Sequence, residues 1–315
     1  MCIMESTEDA EKVAVFEKHR QRLFGIAYRM LGTRDDADDV LQEAYIRLHS
    51  ARLVEISVHE AWLVTIVTRL SIDRLRKLSS ARETYIGPWL PEPLITDPAP
   101  SPEAAAANAS DVSVAFLLLL ERLSPLERAV FLLHDVFEFA HAEIARIVAK
   151  SETAVRQVAS RARRHIHSGR RRFAADEASK AALITKFVKA SYAGDLNTLK
   201  SIFADDVAMT SDGGGRVNAA RRVVGGRDRL GRLFTVAIAK TGNLAAYTIN
   251  LNGEQAIVEY SNGVPHAATM FEIDNGKIVA IYRVMNPDKL KAFENREATL
   301  IDKKVSQKKS PIRLD

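Results

Sequence analysis

The feature that most limits how this chain can fold is a run of prolines in its first third. Six of the ten prolines fall between Pro88 and Pro102, in Gly87-Pro88-Trp89-Leu90-Pro91-Glu92-Pro93-Leu94-Ile95-Thr96-Asp97-Pro98-Ala99-Pro100-Ser101-Pro102. Each proline removes a backbone donor and pushes the residue before it out of the α region. The stretch is therefore an extended linker and cannot be helical. A second change comes near Phe173, with four glycines before it and eleven after. The part before Phe173 reads as helical on both sides of the linker, and the rest as helix, strand and turn mixed. A chain of 315 residues suits two or three domains.

Helices are expected at Ala10–Leu31, Arg34–His49 and Val58–Leu78, then at Glu103–Leu123, Pro125–Phe137, Ala142–Ala149 and Glu152–Phe173. The last part opens with helices at Asp176–Ala193 and Leu196–Phe203. Strands are expected at Val207–Thr210, Ala246–Leu251, Ala256–Ser261, Ala267–Ile273 and Lys277–Val284, with a helix at Arg227–Ala239. Asn252-Gly253 and Asn275-Gly276 mark hairpin turns. Asp302–Asp315 reads as a solvated tail. Apolar residues make up 47 %, enough for packed cores and too many for a largely disordered chain. The net charge of +5 permits nucleic-acid binding, so the placement of charge decides more than its total. Cys2 is the only cysteine, which excludes an intramolecular disulfide and a Cys-rich zinc site. The acidic stretch Met1–Lys12 has no apolar core of a signal peptide, and the longest apolar run, Val114–Leu120, is too short to cross a bilayer. A soluble cytoplasmic protein without cofactor or metal is expected.

Three patterns carry chemistry. In Ser124–Ile166, Pro125 opens one helix, the short helix His141–Val148 follows, and Glu152-Thr153-Ala154-Val155-Arg156-Gln157 begins another after a turn at Lys150-Ser151. Ser151 suits an N-cap, and Ile144, Val148 and Val155 are spaced to join the two helices. This is a helix-turn-helix whose second helix would enter a major groove. Seven arginines face one glutamate from Ser151 to Arg172, and the later ones, Arg161, Arg163 and Arg164, suit phosphates. The alternative is a helical hairpin with a solvated basic face. Next, Arg34–Leu48 opens with aspartates that favour a helix N-terminus and would leave an acidic face able to dock on a basic protein. In Ala61–Lys77, Trp62, Ile66 and Leu70 form a core stripe, and Arg69, Arg74, Arg76 and Lys77 leave a basic face suited to single-stranded DNA.

Asp38-Asp39-Val40-x-Gln42-Glu43-Ala44, followed by Trp62-Leu63-x-x-Ile66 and Asp73-Arg74-Leu75-Arg76, resembles region 2 of bacterial sigma factors. Leu123-Ser124-Pro125-x-Glu127-Arg128-Ala129-Val130-Phe131, with Glu143-Ile144-Ala145 and Ser160-Arg161-Ala162-Arg163, resembles region 4. Order, spacing and linker resemble the extracytoplasmic-function (ECF) sigma factors of RNA polymerase. The resemblance implies that Asp38, Asp39, Gln42 and Glu43 dock on the clamp helices of the polymerase β′ subunit, and that Leu126–Leu133 faces the β flap. The Ser50–Glu60 loop with Trp62, Arg69, Arg74, Arg76 and Lys77 would capture the melted −10 promoter element. Ser151, Thr153, Ala154, Arg156, Gln157, Ser160, Arg161 and Arg164 would read the −35 element. Ala140 stands where relatives usually carry a capping Ser or Thr, and Thr68-Arg69-Leu70 where many carry Arg-Asn. A monomer is expected, as in most sigma factors.

Asp176–Leu290 resembles the SnoaL-like, NTF2-like α+β cone that one subgroup of these factors carries. That subgroup is matched further by Trp89-Leu90-Pro91-Glu92-Pro93, by Asp212-Gly213-Gly214-Gly215-Arg216 and by Asn286-Pro287-Asp288-Lys289-Leu290. The resemblance implies that the extension replaces a separate anti-sigma protein, contacts the linker and, through its last segment, is needed for full activity. The expected organisation is a region 2 domain at 10–80, linker at 81–110, region 4 domain at 111–173, cone at 176–295 and tail at 296–315. Two other classes stay open: a helix-turn-helix regulator switched by a small-molecule ligand in the cone, and an isomerase or cyclase. For acid–base work the candidates are Asp212, Tyr260, His266 and Tyr282. The Asp212–Gly215 turn could bind a small anion through its free N–H groups, or could let another backbone approach.

Overall fold

The computed structural model describes residues 2–96, 113–167, 177–241, 244–294 and 296, in two compact units. One takes residues up to Glu83 together with 116–167. Here α1 (Cys2–Leu31), α2 (Arg34–Ser50) and α3 (His59–Glu83) form the first helical group. Gly32, at φ +82°, ends α1, and the Thr33 hydroxyl starts α2 by accepting from the Asp36 N–H at 3.3 Å. Leu23, Ile26 and Met30 of α1 are buried, as are Leu41, Ala44 and Leu48 of α2 and Leu63, Val64 and Val67 of α3. The expected core stripe Trp62–Ile66–Leu70 is only half-buried. The buried face of α3 lies one residue along, at Leu63, Val67 and Ser71, where the helix meets its neighbouring helices.

The second helical group contains α4 (Val114–Leu120), α5 (Pro125–Phe131), α6 (His141–Val148) and α7 (Glu152–His167). Residues 103–112 and 168–173 of the expected helices lie outside the described residues. A reciprocal capping box opens α5: Ser124 Oγ accepts from the Glu127 N–H at 3.4 Å, and Glu127 Oε2 accepts from the Ser124 N–H at 3.0 Å. The helix expected to reach Phe137 instead loosens at Leu132 into a five-residue π turn, Leu132–Val136.

The other unit takes residues 84–96, 113–115 and the chain from 177 onward. Helices α8 (Glu177–Tyr192), α9 (Leu196–Ile202) and α10 (Arg227–Thr241) pack on a six-stranded sheet ordered β2-β1-β6-β5-β4-β3. The strands are β1 (Phe203–Asp212), β2 (Val224–Gly225), β3 (Leu244–Leu251), β4 (Glu254–Ser261), β5 (Val264–Asp274) and β6 (Lys277–Val284), and only β1 and β6 pair in parallel. Phe187 meets Phe234 and Phe271 edge-on at 4.9 and 5.0 Å, in a core that Phe203, Ile257 and Ile281 complete. Asn252-Gly253 and Asn275-Gly276 make the expected turns with positive φ at both residues, and Asn262-Gly263, which the sequence reading passed over, makes a third. The chain thus pairs helical domains with an α+β, NTF2-like unit, as its motifs imply. Among the described residues no helix is long and apolar enough to cross a membrane.

Candidate functional site

The helix-turn-helix forms as its capping residues dictate. Ala149 takes the left-handed conformation (φ +51°), and Ser151 Oγ accepts from the Ala154 N–H at 3.2 Å at the start of α7. Ala140 has no side-chain acceptor, so α6 keeps half of a capping box: Glu143 Oε2 accepts from the Ala140 N–H at 2.9 Å. The two helices close through Ile144, Ile147 and Val155, with Val148 only half-buried. Val158, Ala159, Ala162 and Ile166 complete the buried face of α7. On the other side Ser151, Thr153, Arg156, Gln157, Ser160, Arg161 and Arg164 are exposed, with Ala154 half-buried. Arg156 is steadied by Glu152 at 2.5 Å, one turn earlier. The residues picked from sequence as DNA readers therefore share one solvent-facing stripe.

On α2, Asp39, Gln42 and Glu43 are exposed and Asp38 is half-buried, so the four polymerase-docking candidates also share a face. Glu43 pairs with Arg47 at 3.1 Å and Asp38 with Arg34 at 3.5 Å. The basic residues of α3 are less free than composition suggests. Arg74 pairs with Asp36 and Asp39 at 2.7 and 3.2 Å, and Arg76 with Asp73 at 2.9 Å. Arg69 donates to the carbonyls of Ile147 and Arg146, at 2.7 and 3.1 Å, at the C-terminal end of α6. Its charge suits that negative helix end.

Other arginines fasten the two helical groups in the same way. Arg22 pairs with Glu60 at 2.6 Å and lies over the Phe139 ring, and Arg29 lies over Phe137. Arg128, 2 % exposed, donates to the Leu120 and Met30 carbonyls at 3.0 and 2.8 Å and pairs with Glu121 at 2.8 Å. Burial pulls its pKa down while Glu121 opposes the shift. Ala129–Leu133 are buried as well. Most of the segment expected to face the β flap is therefore turned inward in this arrangement.

In the second unit the three short motifs meet around one carboxylate. Asp212 is fully buried at the end of β1. Its Oδ1 accepts from the Tyr85 hydroxyl at 2.6 Å and the Gly214 N–H at 3.0 Å, and its Oδ2 from the Leu90 N–H at 2.9 Å and Lys289 Nζ at 2.7 Å. Lys289, itself 6 % exposed, also donates to the Leu90 carbonyl and sits 4.3 Å from the Trp89 ring centre and 5.3 Å from that of Tyr85. Asn286 donates to the Tyr85 oxygen at 3.0 Å, and Asp288 pairs with Arg216 at 3.4 Å. Burial, then the bond to Asp212, pushes the Tyr85 phenol well above its ordinary pKa. Leu90, Pro91, Glu92 and Pro93 are buried. A Cβ on Gly215 would lie 2.8 Å from Ile86 Cδ1, and one on Gly214 within 2.4 Å of the Asn286 amide. Gly214 and Gly215 thus admit side chains of the last motif and of the linker, while a Cβ on Gly213 would lie 2.9 Å from the Val217 carbonyl, a backbone of the same turn.

Beyond Pro93 the linker adds to the open edge of the sheet. Ile95 bridges Leu251, Asn252 N–H donates to the Leu94 carbonyl at 2.8 Å, and Thr96 N–H to the Asn250 carbonyl at 3.0 Å. The Asn252 side chain closes the pair by accepting from the Leu94 N–H at 3.1 Å. This covers the C-terminal end of the open edge of β3, at Asn250–Asn252. Sequence reasoning took Asn252 for a turn residue only and missed Tyr85, which lies ahead of the Trp89–Pro93 motif.

The candidate acid–base residues do not converge. Asp212 is spent on the linker. Tyr260 is buried and donates to the Phe293 carbonyl at 3.0 Å, and Tyr282 donates to Glu272 at 3.0 Å. His266 is half-buried, and burial, then Arg283, lowers its pKa. Among the described residues no cluster of three or more His, Cys, Asp or Glu could hold a metal ion.

Comparison with known proteins agrees with this geometry. Residues 15–81 match sigma-70 region 2 and residues 113–166 match sigma-70 region 4. The ECF RNA polymerase sigma factor SigJ of Mycobacterium tuberculosis is 37 % identical over 88 % of this chain and 93 % of its own length. The probable ECF sigma factor SigI of the same organism is 29 % identical over 88 % of this chain and 94 % of its own. The crystal structure of SigJ superposes with a TM-score of 0.71 at 34 % identity, covering 88 % of this chain and 98 % of that one. Two sigma regions in order and a relative 37 % identical over nearly its whole length place this chain in the ECF sigma-70 family of transcription initiation factors.

Proposed function

We propose that the chain is a cytoplasmic, monomeric sigma factor that reads −10 and −35 promoter elements for core RNA polymerase and is governed in cis by its C-terminal unit. The single observation that carries the promoter reading is the α7 stripe, where Thr153, Arg156, Gln157, Ser160 and Arg164 face solvent while the opposite side is core. Ser151, Ala154 and Arg161 flank it. Asp38, Asp39, Gln42 and Glu43 supply the clamp contact. Trp62, half-buried near the start of α3, and the basic residues Arg69, Arg74, Arg76 and Lys77 further along it supply the strand-capturing face. The polymerase does the chemistry, and the chain contributes recognition. The domain plan follows: region 2, linker, region 4, and a cone that holds the linker through Trp89–Pro93, Asp212–Arg216 and Asn286–Leu290. In this reading the docked linker does in cis what an anti-sigma protein does in trans. A small polar molecule in the cone belongs to it too: the buried Ser191 and Tyr192 hydroxyls lack hydrogen-bond partners among the described residues.

The test is run-off transcription with purified bacterial core polymerase on a promoter pool. The chain is expected to select a promoter set, and Arg156→Ala to relax one −35 position by about 1–3 kcal/mol. Silence, with no co-elution with core polymerase, would reject the assignment.

A further inference from the structure

The strongest concentration of charge outside these sites lies on the C-terminal unit. Between Arg216 and Arg232 there are six arginines and one acidic residue, Asp228. Local carboxylates neutralise part of this. Arg216 pairs with Asp288 at 3.4 Å, Arg227 with Asp205 at 2.5 Å, and Asp228 is held by Lys200 at 2.6 Å. Arg221, Arg222, Arg229 and Arg232 are exposed and form no ion pair with the described residues.

The four flank the connection from the edge strand into α10. Arg221 and Arg222 lead into β2, the edge strand, whose Val224 and Gly225 pair with Met209 and Ala208 of β1. The Gly226 N–H donates to the Val207 carbonyl at 2.8 Å and turns the chain directly into α10. Arg229 and Arg232 stand three residues apart in the first turns of that helix, with Leu230 and Phe234 buried on its other side. The Arg221 backbone rests against the linker, its Cα 3.6 Å from where a Cβ on Gly87 would be. The docked linker therefore backs the turn that carries two of the four.

We infer that Arg221, Arg222, Arg229 and Arg232 form a second, sequence-independent contact with the backbone of duplex DNA, in addition to the α7 stripe. The chemistry matches phosphate: planar, permanently charged donors, whose one acidic neighbour in the segment, Asp228, is ion-paired with Lys200 while also lying within electrostatic reach of Arg232. Val223, Leu233 and Val236 are exposed along the same segment as scattered apolar side chains of the kind any surface carries. The inference rests on membership of a DNA-binding family and not on which bases α7 reads.

The test is binding of the full chain to a duplex of arbitrary sequence, measured against salt, for the parent, for the four-fold Arg→Gln variant and for the four-fold Arg→Lys variant. Each phosphate contact adds about 0.9 to the slope of log K against log salt. The Gln variant is expected to lower the slope by about 2–4 at an unchanged melting temperature, and the Lys variant to restore it. An unchanged slope overturns the inference. That holds equally if the Gln variant then fails to co-elute with core polymerase, which would assign the patch to an acidic protein surface.

Discussion

Replacing Lys289 by Met keeps the stem that packs in the aromatic cage and removes only the ammonium. Asp212 then stays buried with three donors, from Tyr85, Leu90 and Gly214, and no cation. Breaking a buried ion pair by removing one partner costs about 3–5 kcal/mol, because the remaining charge is stranded. Two of the three remaining donors belong to the linker, so water regains Asp212 most cheaply if residues 85–90 leave. The cost therefore falls on linker docking and not on unfolding of the sheet. At 3 kcal/mol the ratio of docked to released linker would fall by about two orders of magnitude. Hydrogen exchange reads this directly. The Leu90, Thr96 and Asn252 amides, bonded to Asp212, Asn250 and Leu94, should lose protection together, while the β4–β5–β6 amides keep theirs. Adding Asp212→Asn should recover part of the loss. Equal protection at Leu90 in parent and Lys289→Met would refute the reasoning.

Other changes should act on the same contact or on the cone. Gly215 sits at φ +71° beside Ile86, so Gly215→Val adds both backbone strain and a clash. It should weaken docking by about 1–3 kcal/mol, read as faster proteolysis within 85–96. His266 is held below its ordinary pKa, so the unfolded chain binds its proton more readily than the folded one. Its contribution is present above about pH 6.5 and is lost as pH falls below that value. Denaturant titrations from pH 7.5 to 5 should show a smaller acid loss for His266→Gln than for the parent, and parallel curves would exclude this role.

Much of this was legible because it rests on periodicity and capping. The α7 stripe follows from apolar residues at Val155, Val158, Ala159, Ala162 and Ile166, and its start from Ser151. The three short motifs could be picked out, but not the atom they share. Nothing local marks Asp212 as a hub, since its partners come from Tyr85, Leu90 and Lys289, far away in sequence. Residues 88–96 of the linker are extended as their prolines dictate, 97–110 lie outside the described residues and 81–83 continue α3, whereas the pairing with β3 is decided by an open sheet edge that no linker residue reveals. The α5 break was hidden because Leu132 and Leu133 continue the apolar pattern through the π turn. The offset on α3 arose because the helices packed against it, and not the helix itself, choose its buried face.

The central claim is that the C-terminal unit controls a sigma factor through the docked linker. Run-off transcription with core polymerase, comparing the full chain with Lys289→Met on one promoter, tests it most directly. The account predicts promoter-specific transcripts whose yield changes several-fold once the linker is released. Equal yields from the two chains, with linker release established by hydrogen exchange, would contradict it.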